Sequence, residues 1–197
     1  MVFDLFVFIT AFIPTAMSIY IETPRTVIRE MLPEDEDGLF EMDSDPEVHR
    51  YISQQPLKTM EEIRTMLNFV RSQYIDNGVG RWSVIDRNTH EFLGWTGFKL
   101  IKEMVHGSTN HDDFGYRFKQ AAWGKGYASE TGKASLEYGV TELGLKPVYA
   151  MTDVNNTVSR HILEKLGFRF VEIFEYDGRP AWWEPKDRVA TWYEWQD

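Results

Sequence analysis

A glycine-rich turn in the middle of the chain is the first feature whose spacing could do chemistry. In the stretch "QAAWGKGYASE", Gly124 and Gly126 flank Lys125, and a helix of small residues is predicted to follow. The first N–H groups of a helix have no partner within it and carry partial positive charge. Glycines beside them leave room for an anion, so the turn predicts a phosphate site. The alternative is that both glycines only permit a tight corner between a strand and a helix.

Two familiar nucleotide motifs do not fit this turn. A Walker loop requires the pattern G-x-x-x-x-G-K-[ST], which the sequence lacks. A dinucleotide-binding fingerprint requires a third glycine three residues after the second, and Ser129 stands there instead. Neither motif explains the turn.

A polar segment before the turn contains candidate metal ligands, namely His106, His111, Asp112 and Asp113. Their spacing matches no familiar set of metal ligands, and a polar loop needs no metal to explain these residue types. We therefore expect no metal site.

The hydrophobic pattern of the first half predicts one strand and three helices. The strand covers residues 26–31, and Pro33 opens a first helix that a second short one follows. Thr59 and Glu62 form a capping box ahead of an apolar helical stripe that ends at Gly78.

In the second half of the chain the hydrophobic pattern changes from the period of a helix to that of a strand. The segments "RWSVID" and "FLGWTGFKLI" predict an antiparallel hairpin. Further strands are predicted at about 113–118, 148–154, 168–176 and 189–195. Helices are predicted from Gly126 to Leu143 and from the cap Asn156 to Leu166. Together these elements predict an α+β fold with a mixed sheet.

The composition is typical of a soluble globular protein. The 197 residues are 43% hydrophobic and 26% charged, and no repeat or linker divides them. With 31 acidic and 21 basic side chains the formal net charge is −10, which disfavours nucleic acid and suits a cationic partner such as an amine. The absence of cysteine excludes disulfides and fits the reducing cytoplasm, where we expect the protein.

The first residues are apolar but fit no membrane signal. Asp4 and Pro14 interrupt the run and no cationic residue precedes it, so neither a signal peptide nor a spanning helix is expected. We expect residues 1–16 to be an extension that packs on the body or within a homodimer, because an exposed apolar segment aggregates. From Met17 the sequence resembles a complete first strand, and residues 17–197 are expected to form a single domain with no membrane partner.

Two segments resemble the acetyl-CoA core of the GNAT N-acetyltransferase superfamily. They are "FGYRFKQAAWGKGYASE" and "GLKPVYAMTDVNNTVSRHILEKLGF", in the family's order and at a plausible spacing. The segments "IYIETPRTVIRE" and "DSDPEVHRYI" are similar to the opening of the RimJ/RimL-type branch, which includes N-terminal acetylases of ribosomal proteins. The resemblance spans roughly residues 18–171.

The resemblance implies a fold and a cofactor, acetyl-CoA. The fold would be a GNAT fold, a mixed, mostly antiparallel sheet flanked by helices, with a V-shaped opening between the strands at 113–118 and 147–153. Pantetheine would lie in this opening and bond the backbone near Tyr116, Arg117 and Phe118, where one N–H would face the developing oxyanion. The pyrophosphate would bind the amides of Gly124, Lys125, Gly126, Tyr127, Ala128 and Ser129. One departure is Ala121, where the family usually has Gln or Arg.

The resemblance also implies where the leaving thiolate would gain its proton. Many relatives have a tyrosine acid seven residues after Asn156, but this chain has Leu163 there, which cannot donate a proton. Ser159 resembles a serine that this branch places near the sulfur, although a small residue at a packed helix face is the alternative. Asn156 is expected to contact the pantetheine arm, with helix capping alone as the alternative.

Asp113 corresponds to an acid that begins the central strand in this branch. It would relay a proton from the incoming ammonium, with His111 and Asp112 as alternative bases. The alternative for Asp113 is a solvated loop carboxylate. The aromatic segments "PAWWEP" and "TWYEW" are candidates for the acceptor pocket, although core and dimer packing would also explain them.

We therefore expect direct transfer of an acetyl group from acetyl-CoA to a primary amine in a ternary complex. The acceptor would be a peptide or protein N-terminal α-amine or a small-molecule amine. An acetyl-cysteine intermediate is impossible because the chain has no cysteine. The alternative is a non-catalytic acyl-CoA-binding sensor, which the leucine at position 163 leaves open.

Overall fold

The computed structural model describes residues 19–176 and 188–195. These residues form one eight-stranded sheet with helices on both faces. The strands are β1 (Ile19–Glu22), β2 (Thr26–Glu30), β3 (Arg81–Asp86), β4 (Phe92–Ile101), β5 (His111–Phe118), β6 (Val148–Asp153), β7 (Phe168–Tyr176) and β8 (Arg188–Trp195). The helices are α1 (Glu36–Asp43), α2 (Pro46–His49), α3 (Met60–Asn77), α4 (Tyr127–Thr141) and α5 (Thr157–Lys165).

The sheet contains one parallel pair at its centre. Its strand order is β1-β2-β3-β4-β5-β6-β8-β7, and every neighbouring pair is antiparallel except β5 with β6. That pair matches only Asp112 with Val148 and Asp113 with Tyr149. Beyond these residues the two strands separate, so the predicted V-shaped opening is confirmed.

The first strands form a hairpin, whereas the sequence from Met17 suggested one complete strand. Thr23 causes the reversal: its hydroxyl accepts the Thr26 N–H at 2.9 Å, and its own N–H donates to the Thr26 carbonyl at 2.9 Å. A side chain that captures a nearby backbone group competes with extension of the strand. β1 and β2 therefore pair as neighbours at the edge of the sheet.

The helices α1, α2 and α3 cover one face of the sheet. Their core packs Leu39, Ile63 and Leu67 against Ile85 and Phe92. The capping box at the start of α3 and the left-handed Gly78 at its end are confirmed. The helix α2 is a single turn, and the chain after it folds back so that two later amides both donate to the His49 carbonyl.

The helices α4 and α5 cover the opposite face, and the core beneath them contains Phe98, Phe114, Leu136, Leu163 and Phe168. The helix α4 begins directly after Gly126, and Asn156 caps α5, as predicted.

The strand β5 begins at His111, two residues before the predicted start at Asp113. Register with β4 explains the difference, because His111 and Asp112 pair with Ile101 and Leu100. The polar side chains of both residues, taken alone, indicate a loop. A polar side chain does not prevent its backbone from joining a sheet when a partner strand is long enough.

Two segments for which a role is predicted above lie outside the described residues, namely the apolar residues 1–16 and the aromatic segment "PAWWEP". In β8, by contrast, Trp192 and Tyr193 of "TWYEW" are buried in the cores, so packing explains those two aromatics. Among the described helices, none is both long and apolar enough to cross a membrane.

Candidate active site

The V-shaped opening belongs to a cavity of about 820 Å³. One end is lined by the glycine turn and the first residues of α4, and the middle by the separating strands β5 and β6. The other end is lined by α2 and by the β4 side chains Trp95 and Lys99. The cavity thus connects the predicted phosphate site with a second region, lined by α2 and β4.

The glycine turn needs both of its glycines for backbone reasons. Gly124 has φ 71° and Gly126 has φ 81°, a left-handed conformation that other residues adopt only at a cost. A Cβ on Gly124 would meet no atom within 4 Å, so the space above it is open. Gly126 is the N-cap of α4 and no side chain caps this helix, which leaves its first N–H groups available. These are the amides of Tyr127, Ala128 and Ser129, which line the cavity.

Arg25 braces the turn from the β1–β2 hairpin. Its Nη1 donates to the Lys125 carbonyl at 2.9 Å, and its guanidinium lies 4.4 Å from the centroid of the Tyr127 ring. Its Nε donates to Glu130 Oε2 at 2.6 Å, while Thr23 donates to Glu130 Oε1 at 2.7 Å. No local sequence pattern indicates these contacts, because Arg25 and Glu130 are 105 positions apart.

After Asp113, the edge of β5 that faces the opening has no partner strand among the described residues. Lys119 N–H donates to the Leu93 carbonyl at 3.0 Å, and backbone groups alternate between the two edges of a strand. Phe118 and Tyr116 therefore direct their backbone groups away from β4, toward the opening. The indole Nε1 of Trp123 donates to the Phe118 carbonyl at 2.8 Å.

Arg117 differs from its two neighbours in β5. By the same alternation its backbone groups face β4, so it is not placed to bond pantetheine through its backbone. Its guanidinium binds the carboxylate of buried Asp43 and lies 5.2 Å from the Trp95 ring centroid. Arg117 thus belongs to the face of β5 that carries the α1–α3 layer.

Two hydroxyls meet inside the cavity. Tyr116 Oη lies 3.0 Å from Ser159 Oγ, and it also donates to the Ser159 carbonyl at 3.2 Å. Burial raises the pKa of the Tyr116 phenol, which therefore keeps its proton. Sequence reasoning gave Tyr116 only a backbone role, and the partnership joins residues 43 positions apart.

Asn156 and Leu163 flank this pair on α5. Asn156 Oδ1 accepts the Ser159 N–H at 3.1 Å, so the capping role is present while the side chain also lines the cavity. Leu163 is buried in the core beneath α5 and lines the cavity. Leucine cannot donate a proton. The Tyr116 phenol, which is hydrogen-bonded to the Ser159 hydroxyl, is a group that can.

Asp113 is a buried ion-pair partner rather than a solvated loop carboxylate. Arg81 Nη2 lies 2.5 Å from Asp113 Oδ2, and each side chain is 12% exposed. Arg81 Nη1 donates to the carbonyls of Asp113 at 2.9 Å and Gly97 at 2.6 Å. A Cβ on Gly115 would lie 3.1 Å from this guanidinium, so glycine gives it room to lie flat on the strand.

His111 and Asp112, the alternative bases, lie in surroundings that differ from those of Asp113. His111 is 2% exposed, lies edge-on to Tyr149 and Trp192, and its ring nitrogens have no hydrogen-bond partner among the described residues. Burial lowers the pKa of His111 and raises that of Asp112. Neither residue lines the cavity, so the geometry does not favour either as the base.

The candidate metal ligands do not converge. His106 contacts Glu172 at 3.0 Å, whereas the ring nitrogens of His111 have no hydrogen-bond partner among the described residues. Within the described ranges no group of three His, Asp or Glu side chains could hold a metal ion.

The comparisons with known proteins identify the family that this fold and cavity suggest. A family model described as an acetyltransferase (GNAT) domain matches residues 25–169, and the chain belongs to this family. An uncharacterized N-acetyltransferase, p20, from Bacillus licheniformis is 32% identical over 147 residues, which cover 75% of this chain and 80% of that one.

Two solved structures share the fold at low identity. A spermidine N-acetyltransferase from Vibrio cholerae, in complex with CoA and spermine, has a TM-score of 0.66 and 19% identity, over 87% of this chain and 95% of that one. RimL, a ribosomal α-N-protein acetyltransferase in complex with coenzyme A, has a TM-score of 0.73 and 13% identity, over 90% and 97%. Such identities establish the GNAT fold alone, so membership of the RimJ/RimL branch stays a prediction.

Proposed function

We propose that this protein transfers an acetyl group from acetyl-CoA directly to a primary amine. The observation that carries the proposal is that the uncapped start of α4 and the unpaired edge of β5 open into one cavity. The first suits a pyrophosphate and the second suits an extended pantetheine arm. Membership of the GNAT family supports the same donor.

The chain's own groups would hold the donor along its length. The amides from Gly124 to Ser129 would bind the pyrophosphate, with Arg25 fixing the turn through the Lys125 carbonyl. The backbone of Tyr116 and Phe118 would bond the arm, and Asn156 would contact it from α5. Acetyl-CoA supplies a thioester whose carbonyl gains negative charge and whose thiolate departs during transfer. An N–H on the free edge of β5 would stabilise that charge.

Ser159 would return a proton to the departing thiolate. Its hydroxyl is hydrogen-bonded to Tyr116, whose raised phenol pKa keeps a proton in reserve. A proton given by Ser159 could therefore be replaced from Tyr116 without waiting for bulk water.

Asp113 is the candidate relay for the proton that the incoming ammonium must lose. It lines the cavity, but one of its oxygens is bound by Arg81. A relay role would use the other oxygen, directly or through water, and would matter most at low pH, where the amine arrives protonated.

The test combines donor binding with turnover. A ligand at one hundred times its dissociation constant stabilises a protein by about 2.7 kcal/mol, so acetyl-CoA at this excess should raise the melting temperature by several degrees. CoA release should then be measured against a panel of small amines and N-terminal peptides. Release with at least one amine supports the proposal, whereas binding without release across the whole panel favours the non-catalytic sensor. No shift with acetyl-CoA would contradict both.

A further inference from the structure

We infer that the acceptor carries a carboxylate near its amine and that Lys99 binds this carboxylate. The inference rests on the proposed acetyl transfer, and it concerns the end of the cavity that lies away from the glycine turn. It narrows the acceptor to acidic amines, such as free amino acids or peptides that begin with an acidic residue.

Three cationic side chains, those of Lys99, Arg81 and Arg117, line this end of the cavity. Lys99 stands opposite Asp113, and Arg117 stands opposite Trp95, four residues away along β4. The guanidinium of Arg81 lies between them, over Gly115, 5.0 Å from the Trp95 ring centroid. Successive residues on one face of a strand are about 6.6 Å apart, so the three charges form a row rather than a single cluster.

Two of the three cations already have a carboxylate. Arg81 pairs with Asp113 at 2.5 Å, and Arg117 pairs with Asp43, which also accepts from His49. These guanidiniums are balanced within the protein. An anionic substrate would gain less from them than from a cation that has no such partner.

Lys99 is that cation. No carboxylate among the described residues lies within ion-pairing distance of its Nζ, which lies 5.7 Å from the centroid of the Phe69 ring. Burial lowers the pKa of Lys99 and the nearby Arg81 lowers it further, whereas the charges of Asp113 and Glu103 oppose the shift. Lys99 is partly buried, lines the cavity and forms no ion pair among the described residues. An anion placed beside such an ammonium stabilises it, because the anion restores part of the interaction that burial removed.

The local charge opposes the charge of the whole chain. The net charge of −10 suggested a cationic partner. A polyamine in this end of the cavity would place its second ammonium in the field of Lys99, however, and like charges at close range in a partly buried site repel strongly. Because Arg81 and Asp113 balance each other, the ammonium of Lys99 favours an acidic amine over a polyamine at the acceptor end.

The experiment compares matched acceptors. Free amino acids are tested against their amides, and peptides beginning with Asp or Glu against peptides beginning with Asn or Gln, all at equal concentrations of neutral amine. A charged hydrogen bond is worth about 1.5–3 kcal/mol, so the acidic member of a productive pair should have a kcat/KM about ten- to a hundredfold higher. The two arms distinguish a free amino acid from a peptide N-terminus.

Variants at Lys99 test whether its ammonium causes the preference for acidic acceptors. Lys99→Met should remove the preference by raising KM for the acidic acceptor alone, and Lys99→Arg should restore it. Lys102→Met, at an exposed lysine nearby, is the control and should change nothing. Failure of Lys99→Arg to restore a lost activity would indicate a proton-transfer role for the lysine and would overturn the inference.

A binding measurement separates this inference from the proposed function. N-acetyl amino acids and their N-acetyl amides are titrated calorimetrically into the protein with CoA bound. Weaker binding of the acids to the Lys99→Met variant, with the amides unaffected, supports the inference even if no amine is turned over. Equal binding of acids and amides by the unaltered protein, or faster acetylation of amides or polyamines, overturns it while acetyl transfer itself stands.

Discussion

At the scale of single residues, the hydroxyls of Ser159 and Tyr116 have to be considered together. They are 3.0 Å apart, and the Tyr116 phenol also contacts the Ser159 carbonyl. Removing either hydroxyl breaks the same hydrogen bond, so the two substitutions should not have independent effects. This coupling follows from one contact and could not be inferred from either residue alone.

We expect Ser159→Ala to lower turnover by about ten- to a hundredfold, or 1.4–2.8 kcal/mol of barrier. The effect is modest because a thiolate, with a thiol pKa of about 8.5, already leaves fairly well. Tyr116→Phe should cause a similar or smaller loss, and the double variant should be little worse than Ser159→Ala. Acetyl-CoA affinity, measured by calorimetry, should barely change in all three.

Pre-steady-state kinetics decide whether this assignment holds. Full turnover by Ser159→Ala, with chemistry shown to limit the rate, would mean that bulk water protonates the thiolate. Fully additive losses in the double variant would instead mean that the two hydroxyls act separately.

At the scale of elements, two glycines at helix ends allow a matched comparison. Gly126 begins α4 with φ 81°, and Gly78 ends α3 with φ 71°. A Cβ on Gly78 would meet nothing within 4 Å, and one on Gly126 would meet only Arg25 Nη2 at 3.6 Å. The backbone cost of replacing either glycine should therefore be similar.

Gly126→Ala and Gly78→Ala should each lower stability by about 1–2 kcal/mol in denaturant unfolding, because alanine disfavours the left-handed conformation. Only Gly126→Ala should also weaken acetyl-CoA binding and reduce the thermal shift, since its methyl group lies where the pyrophosphate is expected. An equal thermal shift in both variants would show that the turn is only a corner between a strand and a helix.

The contact between Arg25 and the glycine turn also links separate elements of the fold. Arg25 comes from the β1–β2 hairpin and reaches the Lys125 carbonyl across the sheet edge. The predicted phosphate site therefore depends on two distant elements, and the hairpin that Thr23 creates brings them together.

At the scale of the whole molecule, one buried histidine links stability to pH. His111 lies among Tyr149 and Trp192, and burial lowers its pKa although Asp113 opposes the shift. The unfolded chain therefore binds a proton at a higher pH than the folded protein does. The stability tied to neutral His111 is fully present above the unfolded pKa of about 6.5 and is lost as the pH falls below it.

His111→Phe should keep the aromatic contacts and remove this titration. Between pH 7 and pH 5 its free energy of unfolding should fall less steeply than that of the unaltered protein, by up to about 1.4 kcal/mol per pH unit. His161→Gln, at an exposed histidine of α5, should leave the slope unchanged. Parallel slopes for His111→Phe and the unaltered protein would contradict the assignment.

Much of the fold was predictable because its signals are local. The capping box of Thr59 and Glu62, the glycine at position 78 and the start of α4 after Gly126 each involve residues a few positions apart. Such patterns are fixed by helix geometry before any tertiary contact forms. The hairpin at Thr23 and the early start of β5 were missed because a hydroxyl contact and a long partner strand decided them.

By itself, the sequence determined the glycine turn with its free helix amides, the mixed α+β fold and the resemblance to the GNAT family. Only the tertiary structure paired Tyr116 with Ser159, Arg81 with Asp113 and Arg25 with the turn, across 43, 32 and 100 positions. Within the part of the chain that the structure describes, it also left Lys99 without a carboxylate at ion-pairing distance. The reason is physical: the sequence specifies which groups can ionise or donate, but their pKa values and partners depend on burial and distance, which folding sets.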